Sequence, residues 1–337
     1  MSDPDLSVKP RERSRPVEAK HLSAALEQAG LDVRAIPRSR ELDPEGRREV
    51  LARRDGPTLF AGCAENWPAS TTWRPEALAA AHGHKQVTAL MDLPAEGTLF
   101  PSEQADYELA LTFSEFLERM LIAGADAPCY LAYTPADDLF PPDEYDFSPF
   151  TGDTPADTDT RAWIGSAGTR SMLHSDLKDN LFCQIWGEKQ VVLLTWDQSR
   201  AAYPFPDNIV NSRVDLAALD LDRFPRLREA TLYAGVMGPG DILYMPRGCW
   251  HDIRALSPSV SLNHWFGPPL TARDYAGLIL RSGPRFWGAT ARDFVVHGLL
   301  GRDEETRFFF SPPSTGKRFY DRLRFGDFSK ENDPAGG

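Results

Sequence analysis

The chain has 337 residues, of which 42% are hydrophobic and 26% charged, and its formal net charge is −12. This length allows a sizeable buried core in one large domain or two modest ones. The acidic excess argues against nucleic-acid binding, which depends on Lys and Arg to neutralise phosphates, and no apolar run is long enough to span a bilayer. The four cysteines are widely separated and make no CxxC pair. We therefore expect neither a disulfide framework nor a zinc finger, and a cytoplasmic location.

The first half of the chain mixes helical and strand patterns. Residues 1–20 are polar and charged with no apolar centre, which indicates a disordered arm rather than a signal peptide. Residues 21–160 predict an α/β portion that packs on the part that follows. Within it, Asp43 before a proline predicts a helix start, and Thr112 three residues before a glutamate predicts a capping box.

Residues 135–160 form the end of this portion and are rich in proline, aspartate and threonine. This composition predicts a long acidic loop rather than a linker between domains. We expect the loop to lie over another part of the protein, where it could cover an extended substrate.

The sequence pattern changes at residue 161. Residues 161–268 contain many short strand-like runs separated by Gly and Pro turns, such as the hairpin turn at Gly187, and predict a β-sandwich or barrel. Residues 269–337 turn helical again, and Thr271 and Thr290 each precede an aspartate by three residues, as at a helix start. The expected fold class is therefore mainly β with flanking helices.

The stretch SMLHSDLKDNLFCQIWGEKQ raises the question of a metal site. His174 and Asp176 are two residues apart in a strand pattern, so their side chains point to the same face. His251, which follows two tight turns, is the candidate for a third ligand. Two histidines and one carboxylate leave three metal positions open, as in non-heme Fe(II) oxygenases. The alternative is that each residue is an ordinary hydrogen-bonded side chain. His82 and His84 are an alternative metal-binding pair. No carboxylate at a matching spacing accompanies them, which favours a surface position for both histidines.

Lys189 opens a strand whose following residues are apolar. A lysine that points inward there would be a buried unpaired charge, which is costly. A dicarboxylate co-substrate would remove that cost by pairing with the ammonium group. The alternative is that Lys189 lies at the hairpin end in water, and the sequence leaves both possibilities open.

With these residues assembled, the chain resembles the JmjC-type, cupin-like family of Fe(II)- and 2-oxoglutarate-dependent oxygenases. It is most similar in pattern to the group that includes the asparaginyl hydroxylase of hypoxia-inducible factor. WIGSAGTRSMLHSDLKDNLFCQIWGEKQVVLL resembles the HxD hairpin of the family, and GDILYMPRGCWHDI with SVSLNHWF resembles its distal-histidine segment. RDGPTLFAGCAENWPA is more weakly similar to the N-terminal portion of the family. The resemblance implies a double-stranded β-helix, or jelly-roll, core over residues 161–268.

The resemblance also implies roles for individual residues. The implied ligands of the catalytic iron are His174, Asp176 and His251. Lys189 would hold the far carboxylate of 2-oxoglutarate. The other residues expected around 2-oxoglutarate are Tyr130, Ser171, Asn180 and Asn263. The residues expected around the substrate are Trp163, Gln184 and Trp265, although plain core packing is the alternative for the tryptophans. The implied cofactors are Fe(II), 2-oxoglutarate and O2.

The implied reaction is hydroxylation of an amino-acid side chain in a peptide or protein, coupled to decarboxylation of 2-oxoglutarate to succinate and CO2. Alternatives of the same chemistry are a free amino acid or secondary metabolite as substrate, or demethylation of N-methyl-lysine. Alternatives of other classes are a non-catalytic cupin binding or sensing module and a zinc- or manganese-dependent isomerase. The apolar helices after residue 271 either cap the barrel or pair with a second copy of the chain. We expect a homodimer through them, and neither a nucleic-acid nor a membrane partner.

Overall fold

The computed structural model describes residues 22–39, 42–94, 106–124, 126–152, 157–268, 270–304 and 313–326. The predicted disordered arm, residues 1–20, lies outside the described residues. Across the described ranges, no helix combines the length and apolar character needed to cross a bilayer.

Fourteen strands are present in the described part of the chain. In chain order they are β1 Asp32–Ala35, β2 Arg38–Ser39, β3 Thr58–Phe60, β4 Gln86–Leu90, β5 Glu108–Thr112, β6 Tyr130–Pro135, β7 Asp159–Gly165, β8 Arg170–Ser175, β9 Asp179–Trp186, β10 Lys189–Leu194, β11 Thr231–Met237, β12 Ile242–Met245, β13 Trp250–Ala255 and β14 Ser259–Phe266. They form a five-stranded sheet of order β1-β11-β10-β13-β8 and a nine-stranded sheet of order β2-β3-β12-β9-β14-β7-β6-β4-β5.

The strands β7 to β14 form the double-stranded β-helix. β8, β10, β11 and β13 are antiparallel neighbours in the smaller sheet, while β7, β9, β12 and β14 are antiparallel neighbours in the larger one. The two sheets pack face to face through a buried apolar cluster, in which Val191 and Leu193 of one sheet meet Phe182 and Leu243 of the other. The predicted fold class, mainly β with a jelly-roll core and flanking helices, is confirmed.

Ten α-helices surround the sheets in the described ranges. They are α1 Leu22–Gln28, α2 Pro44–Arg53, α3 Ala69–Thr72, α4 Pro75–His82, α5 Phe113–Ile122, α6 Ala136–Leu139, α7 Ser148–Thr151, α8 Ala272–Ser282, α9 Pro284–Asp293 and α10 Thr315–Phe325. A π-helical turn, Phe294–Leu299, continues α9. Short 3-10 turns lie at Pro142–Glu144, Trp196–Gln198, Leu216–Ala218 and Pro225–Glu229.

Most of the predicted helix starts are confirmed. The side chain of Asp43 accepts a hydrogen bond from the third residue of α2, and Thr112 with Glu115 forms the capping box of α5. Thr271 caps α8 in the same way. The helix start predicted at Thr290 is wrong, because α9 already begins at Pro284, a residue whose fixed φ and missing N–H suit the first helical position.

The described part of residues 135–160 lies over another part of the protein, as expected, and contains three short helical elements between irregular stretches. This segment forms α6, a 3-10 turn and α7, and it buries aromatic side chains against the nine-stranded sheet. Phe140 stacks on Trp73 with ring centroids 3.8 Å apart, and Phe147 stacks on His264 at 4.4 Å. His264 has the opposite strand parity to the cavity-lining Asn263, so the described part of this segment covers the outer face of the sheet.

Candidate metal centre

The three predicted metal ligands meet at one end of the barrel, where β8 and β13 lie side by side. His174 on β8 is the direct cross-strand partner of His251 on β13, and Asp176 follows the last residue of β8. One potential ligand atom from each residue lies within 4.8 Å of those of the other two. Within the described ranges, this is the one group of three or more His, Cys, Asp or Glu residues close enough to hold a metal ion.

A β-bulge in β8 determines which side chains share the interior face. The strand register places Ile253 opposite Ser171 and His251 opposite His174, so β8 has one more residue than β13 between these pairs. The irregularity lets Ser171 and His174, three residues apart, line the same cavity. Strict alternation would have pointed them to opposite faces.

Hydrogen bonds to the backbone fix the orientation of both imidazoles. Nδ1 of His174 lies 2.6 Å from the carbonyl oxygen of Met172, and Nδ1 of His251 lies 3.0 Å from that of Cys249. Because a carbonyl oxygen only accepts, each Nδ1 carries the proton, which leaves the lone pair of each Nε2 available to a metal.

The carboxylate is held by two donors from the neighbouring sheet. Trp265 Nε1 donates to Asp176 Oδ2 at 2.8 Å, and Asn180 Nδ2 donates to the same oxygen at 3.0 Å. Asn263 Nδ2 in turn donates to Asn180 Oδ1 at 3.0 Å. This chain of donors orients the carboxylate toward His251, whose Nε2 lies 3.7 Å from Asp176 Oδ2.

The charges in this cluster favour metal binding. Burial acts to raise the pKa of Asp176, but the two histidines and the hydrogen bonds from Trp265 and Asn180 outweigh burial and hold the pKa below its usual value. Burial and the neighbouring His174 lower the pKa of His251. An ionised carboxylate and a neutral imidazole are the forms that coordinate a cation.

Lys189 projects into the same cavity from the start of β10. Its side chain is buried, and its Nζ lies 5.2 Å from the ring centroid of Phe182 and 5.9 Å from that of Tyr130. Burial lowers its pKa from 10.5 to about 7. No acidic side chain of the described ranges pairs with it. The alternative of a lysine that stays in water at the hairpin end is therefore wrong. The cavity contains a buried amine whose protonated form has no counterion among the described residues.

The cavity brings together most of the residues predicted for the pocket. Its empty volume is about 320 Å³, counting its open mouth. The predicted residues that line it are Tyr130, Trp163, Ser171, His174, Asp176, Lys189, His251, Asn263 and Trp265. Sequence reasoning missed Phe182 and Ile253, which lie on the inward-facing parity of their strands and could have been found from it. Asn180 contacts the site through its bonds to Asp176 and Asn263.

Gln184 does not line the cavity. It shares a strand face with Asn180 but lies farther along β9, where it accepts a hydrogen bond from Ser261 Oγ at 2.8 Å and donates to the carbonyl oxygen of Trp186 at 2.6 Å. Both groups of its amide are thus occupied inside the sheet. The prediction of Gln184 in the substrate pocket is corrected accordingly.

The double-stranded β-helix with two histidines and one carboxylate at its open end defines the cupin class of protein. In agreement, residues 45–272 match the cupin-like domain family. The chain belongs to this family, in its JmjC-type branch.

Individual relatives support the same placement. The chain is 32% identical over 226 residues to Jumonji C domain-containing protein 5 of Drosophila melanogaster, covering 62% of this chain and 54% of that protein. It is 31% identical over 224 residues to lysine-specific demethylase JMJ30 of Arabidopsis thaliana, covering 62% and 49%. It is 26% identical over 246 residues to HSPB1-associated protein 1 of Homo sapiens, covering 66% and 50%. The chain therefore spans about half the length of these relatives.

Proposed function

We propose that this protein is an Fe(II)- and 2-oxoglutarate-dependent dioxygenase that hydroxylates an amino-acid side chain of a peptide or protein. In this reaction 2-oxoglutarate is decarboxylated to succinate and CO2. One observation carries the proposal: a complete two-histidine, one-carboxylate set and a buried lysine without an anionic partner among the described residues line a single cavity.

His174, Asp176 and His251 would hold the Fe(II). Nitrogen and carboxylate donors in this number suit Fe(II) and leave positions for a co-substrate and oxygen. When bound, the iron with 2-oxoglutarate and O2 supplies the oxidising chemistry for attack on a C–H bond. The chain itself fixes the donors, because each imidazole is locked by a backbone carbonyl and the carboxylate by Trp265 and Asn180.

Lys189 would bind the far carboxylate of 2-oxoglutarate. The surrounding groups suit this, because the phenol of Tyr130 hydrogen-bonds to Ser171 on the opposite wall of the same cavity. Burial raises the pKa of Tyr130, so its hydroxyl remains a neutral donor. An ammonium group with two hydroxyls nearby provides charge-assisted hydrogen bonds for one carboxylate.

Trp163 and Trp265 would border the substrate. Trp163 packs on Tyr130 and Tyr133, and Trp265 also packs on Tyr133, with centroid distances of 5.8 to 6.0 Å. This aromatic wall runs from the metal centre across β14, β7 and β6 of the nine-stranded sheet. It supports a role in positioning the apolar part of a side chain and in excluding water.

The second candidate is demethylation of N-methyl-lysine by the same chemistry. It is favoured by relatives from Xenopus tropicalis and Arabidopsis thaliana that are named lysine-specific demethylases. A free amino acid or secondary metabolite is a third substrate class for this site. A non-catalytic cupin module is less well supported, because a binding module has no need of both a complete ligand set and a buried lysine.

All four cysteines are free thiols, in keeping with a cytoplasmic location.

The test is an anaerobic absorbance titration of the metal-free protein with Fe(II) and then 2-oxoglutarate. We expect a weak visible charge-transfer band that disappears in His174→Ala and needs more 2-oxoglutarate in Lys189→Ala. Lys85→Ala is the matched control, because Lys85 binds backbone carbonyls of residues 138 and 139 away from the barrel interior. A folded protein that takes up iron but shows no band on addition of 2-oxoglutarate would refute the proposal.

A further inference from the structure

A second concave site lies outside the barrel. It is a groove between the segment 195–230 and the first two C-terminal helices, with an empty volume of about 1650 Å³, counting its open mouth. Four arginines contribute to its lining: Arg200, Arg213, Arg226 and Arg281. Half-buried aromatic rings, including Trp196, Tyr203 and Phe286, form much of the remaining surface.

The arginines leave the groove with an excess of positive charge. Arg200, Arg226 and Arg281 make no ion pair within the described ranges. Two of them are instead held by backbone carbonyls: Arg200 Nη2 donates to the carbonyl oxygen of Arg281 at 3.3 Å, and Arg281 Nε donates to that of Gly277 at 3.1 Å. Asp197 is the single carboxylate in the lining. This concentration of positive charge stands out in a chain of net charge −12.

Tyr203 organises two of the guanidinium groups. Its ring lies under Arg213 and Arg226, whose Cζ atoms are 6.0 and 5.9 Å from the ring centroid. Its hydroxyl accepts a hydrogen bond from the backbone N–H of Arg226 at 2.9 Å. Its φ of 46° is in the left-handed region, which is costly for a bulky residue and persists where surrounding contacts impose it. The strained backbone thus places an aromatic platform beneath two cations.

From these observations we propose that the groove binds an acidic peptide segment, in which carboxylates alternate with apolar side chains. The planar guanidinium fork matches a carboxylate with two parallel hydrogen bonds. The half-buried ring of Phe286, which shares the lining with the arginines, offers apolar surface for an intervening side chain. A nucleic acid fits less well, because its regularly spaced phosphates would meet the repulsion of a strongly acidic protein beyond the groove.

Packing contacts and backbone hydrogen bonds connect the residues that line the groove to the strand beside the metal centre. Trp196 packs so closely on Gly248 that a Cβ there would lie 2.4 Å from the indole ring. The N–H of Gly248 donates to the carbonyl oxygen of Asp176. The segment from 203 to 214 links the groove to β8 as well, since Ser175 N donates to the carbonyl oxygen of Val210 at 2.8 Å. A segment held in the groove is therefore anchored close to the strand that carries the metal ligands.

The experiment measures binding alone, so its result is independent of the proposed reaction. Fluorescence anisotropy would follow the 337-residue chain binding a labelled short peptide of alternating Glu and Leu, beside a peptide with Gln in place of Glu. Arg200→Glu, Arg226→Glu and the double variant change exposed side chains, so they should fold normally. Arg223→Glu is the matched control, because Arg223 is an exposed arginine of the same segment that lies over Phe224 and does not line the groove.

We expect the Glu peptide to bind and the Gln peptide to fail, with affinity that falls as salt screens the charges. The double variant should lose about tenfold or more in affinity, while Arg223→Glu stays within about twofold. His174→Ala should bind the peptide as the unaltered protein does, which separates this proposal from the metal chemistry. Equal binding of both peptides, an equal loss in Arg223→Glu, or tighter binding of a single-stranded oligonucleotide at this groove would overturn the proposal.

Discussion

Replacement of Lys189 by methionine should make the metal-free protein more stable and at the same time impair co-substrate binding. The side chain is 2% exposed and has no anionic partner within the described ranges. Burial lowers its pKa from 10.5 to about 7. Because one pKa unit corresponds to about 1.4 kcal/mol, keeping this lysine in the folded protein costs up to about 4–5 kcal/mol near pH 7. Methionine has a similar unbranched shape and no charge, so we expect a gain of about 2–4 kcal/mol in the free energy of unfolding.

The gain should depend on pH with a defined sign. Between pH 7 and pH 10.5 the unfolded chain holds a proton on this lysine that the folded chain has released. The unfolded state therefore binds more protons, and the stability of the unaltered protein rises with pH in this window. Below about pH 7 both states are protonated and the cost of the buried charge is present in full. The advantage of Lys189→Met is thus largest at or below pH 7 and shrinks toward pH 10.5.

Urea denaturation of the metal-free proteins across this pH range measures the stability difference, and calorimetric titration of the Fe(II)-loaded proteins measures 2-oxoglutarate binding. Loss of a buried charged partner costs about 2–5 kcal/mol, which predicts at least about thirtyfold weaker 2-oxoglutarate binding in Lys189→Met. Lys85→Met serves as the control and should show neither effect. A Lys189→Met protein no more stable than the unaltered one, with a difference that is flat in pH, would show that this lysine is not buried as a charge.

Three further predictions concern the metal centre, the barrel wall and the oligomer. Trp265→Phe keeps the ring but removes the hydrogen bond to Asp176, so Fe(II) affinity measured by calorimetry should fall about tenfold or more; unchanged affinity would exclude this role. Arg170→Ala leaves Asp252 buried without its ion-pair partner, and urea denaturation should show a loss of about 3–5 kcal/mol, whereas a loss below about 1 kcal/mol would contradict a buried ionised pair. The exposed apolar side chains of the C-terminal helices, among them Leu323, are expected to pair two copies of the chain. Light scattering should therefore find a dimer that Leu323→Asp weakens. A monomer at micromolar concentration would refute the predicted dimer.

Local sequence determined much of the fold and pointed to the candidate metal ligands. Capping patterns set the starts of α2 and α5 because they depend on contacts within one turn. The spacing of His174 and Asp176 predicted that both side chains share one face, because strand alternation is a local property. The same alternation placed Asn263 and Trp265 on one face, as the cavity lining shows.

Only the tertiary structure decided how the strands pair and which side chains meet, because the sequence of one strand does not specify its register with a distant strand. The bulge opposite β13 turned Ser171 to the same face as His174. Packing between the two sheets buried Lys189, for which the sequence allowed water equally well. A hydrogen bond from Ser261 on the neighbouring strand kept Gln184 out of the pocket. Residues 135–152 lie on the outer face of the nine-stranded sheet because their aromatic side chains pack against apolar residues there. The composition of the segment alone does not reveal this contact.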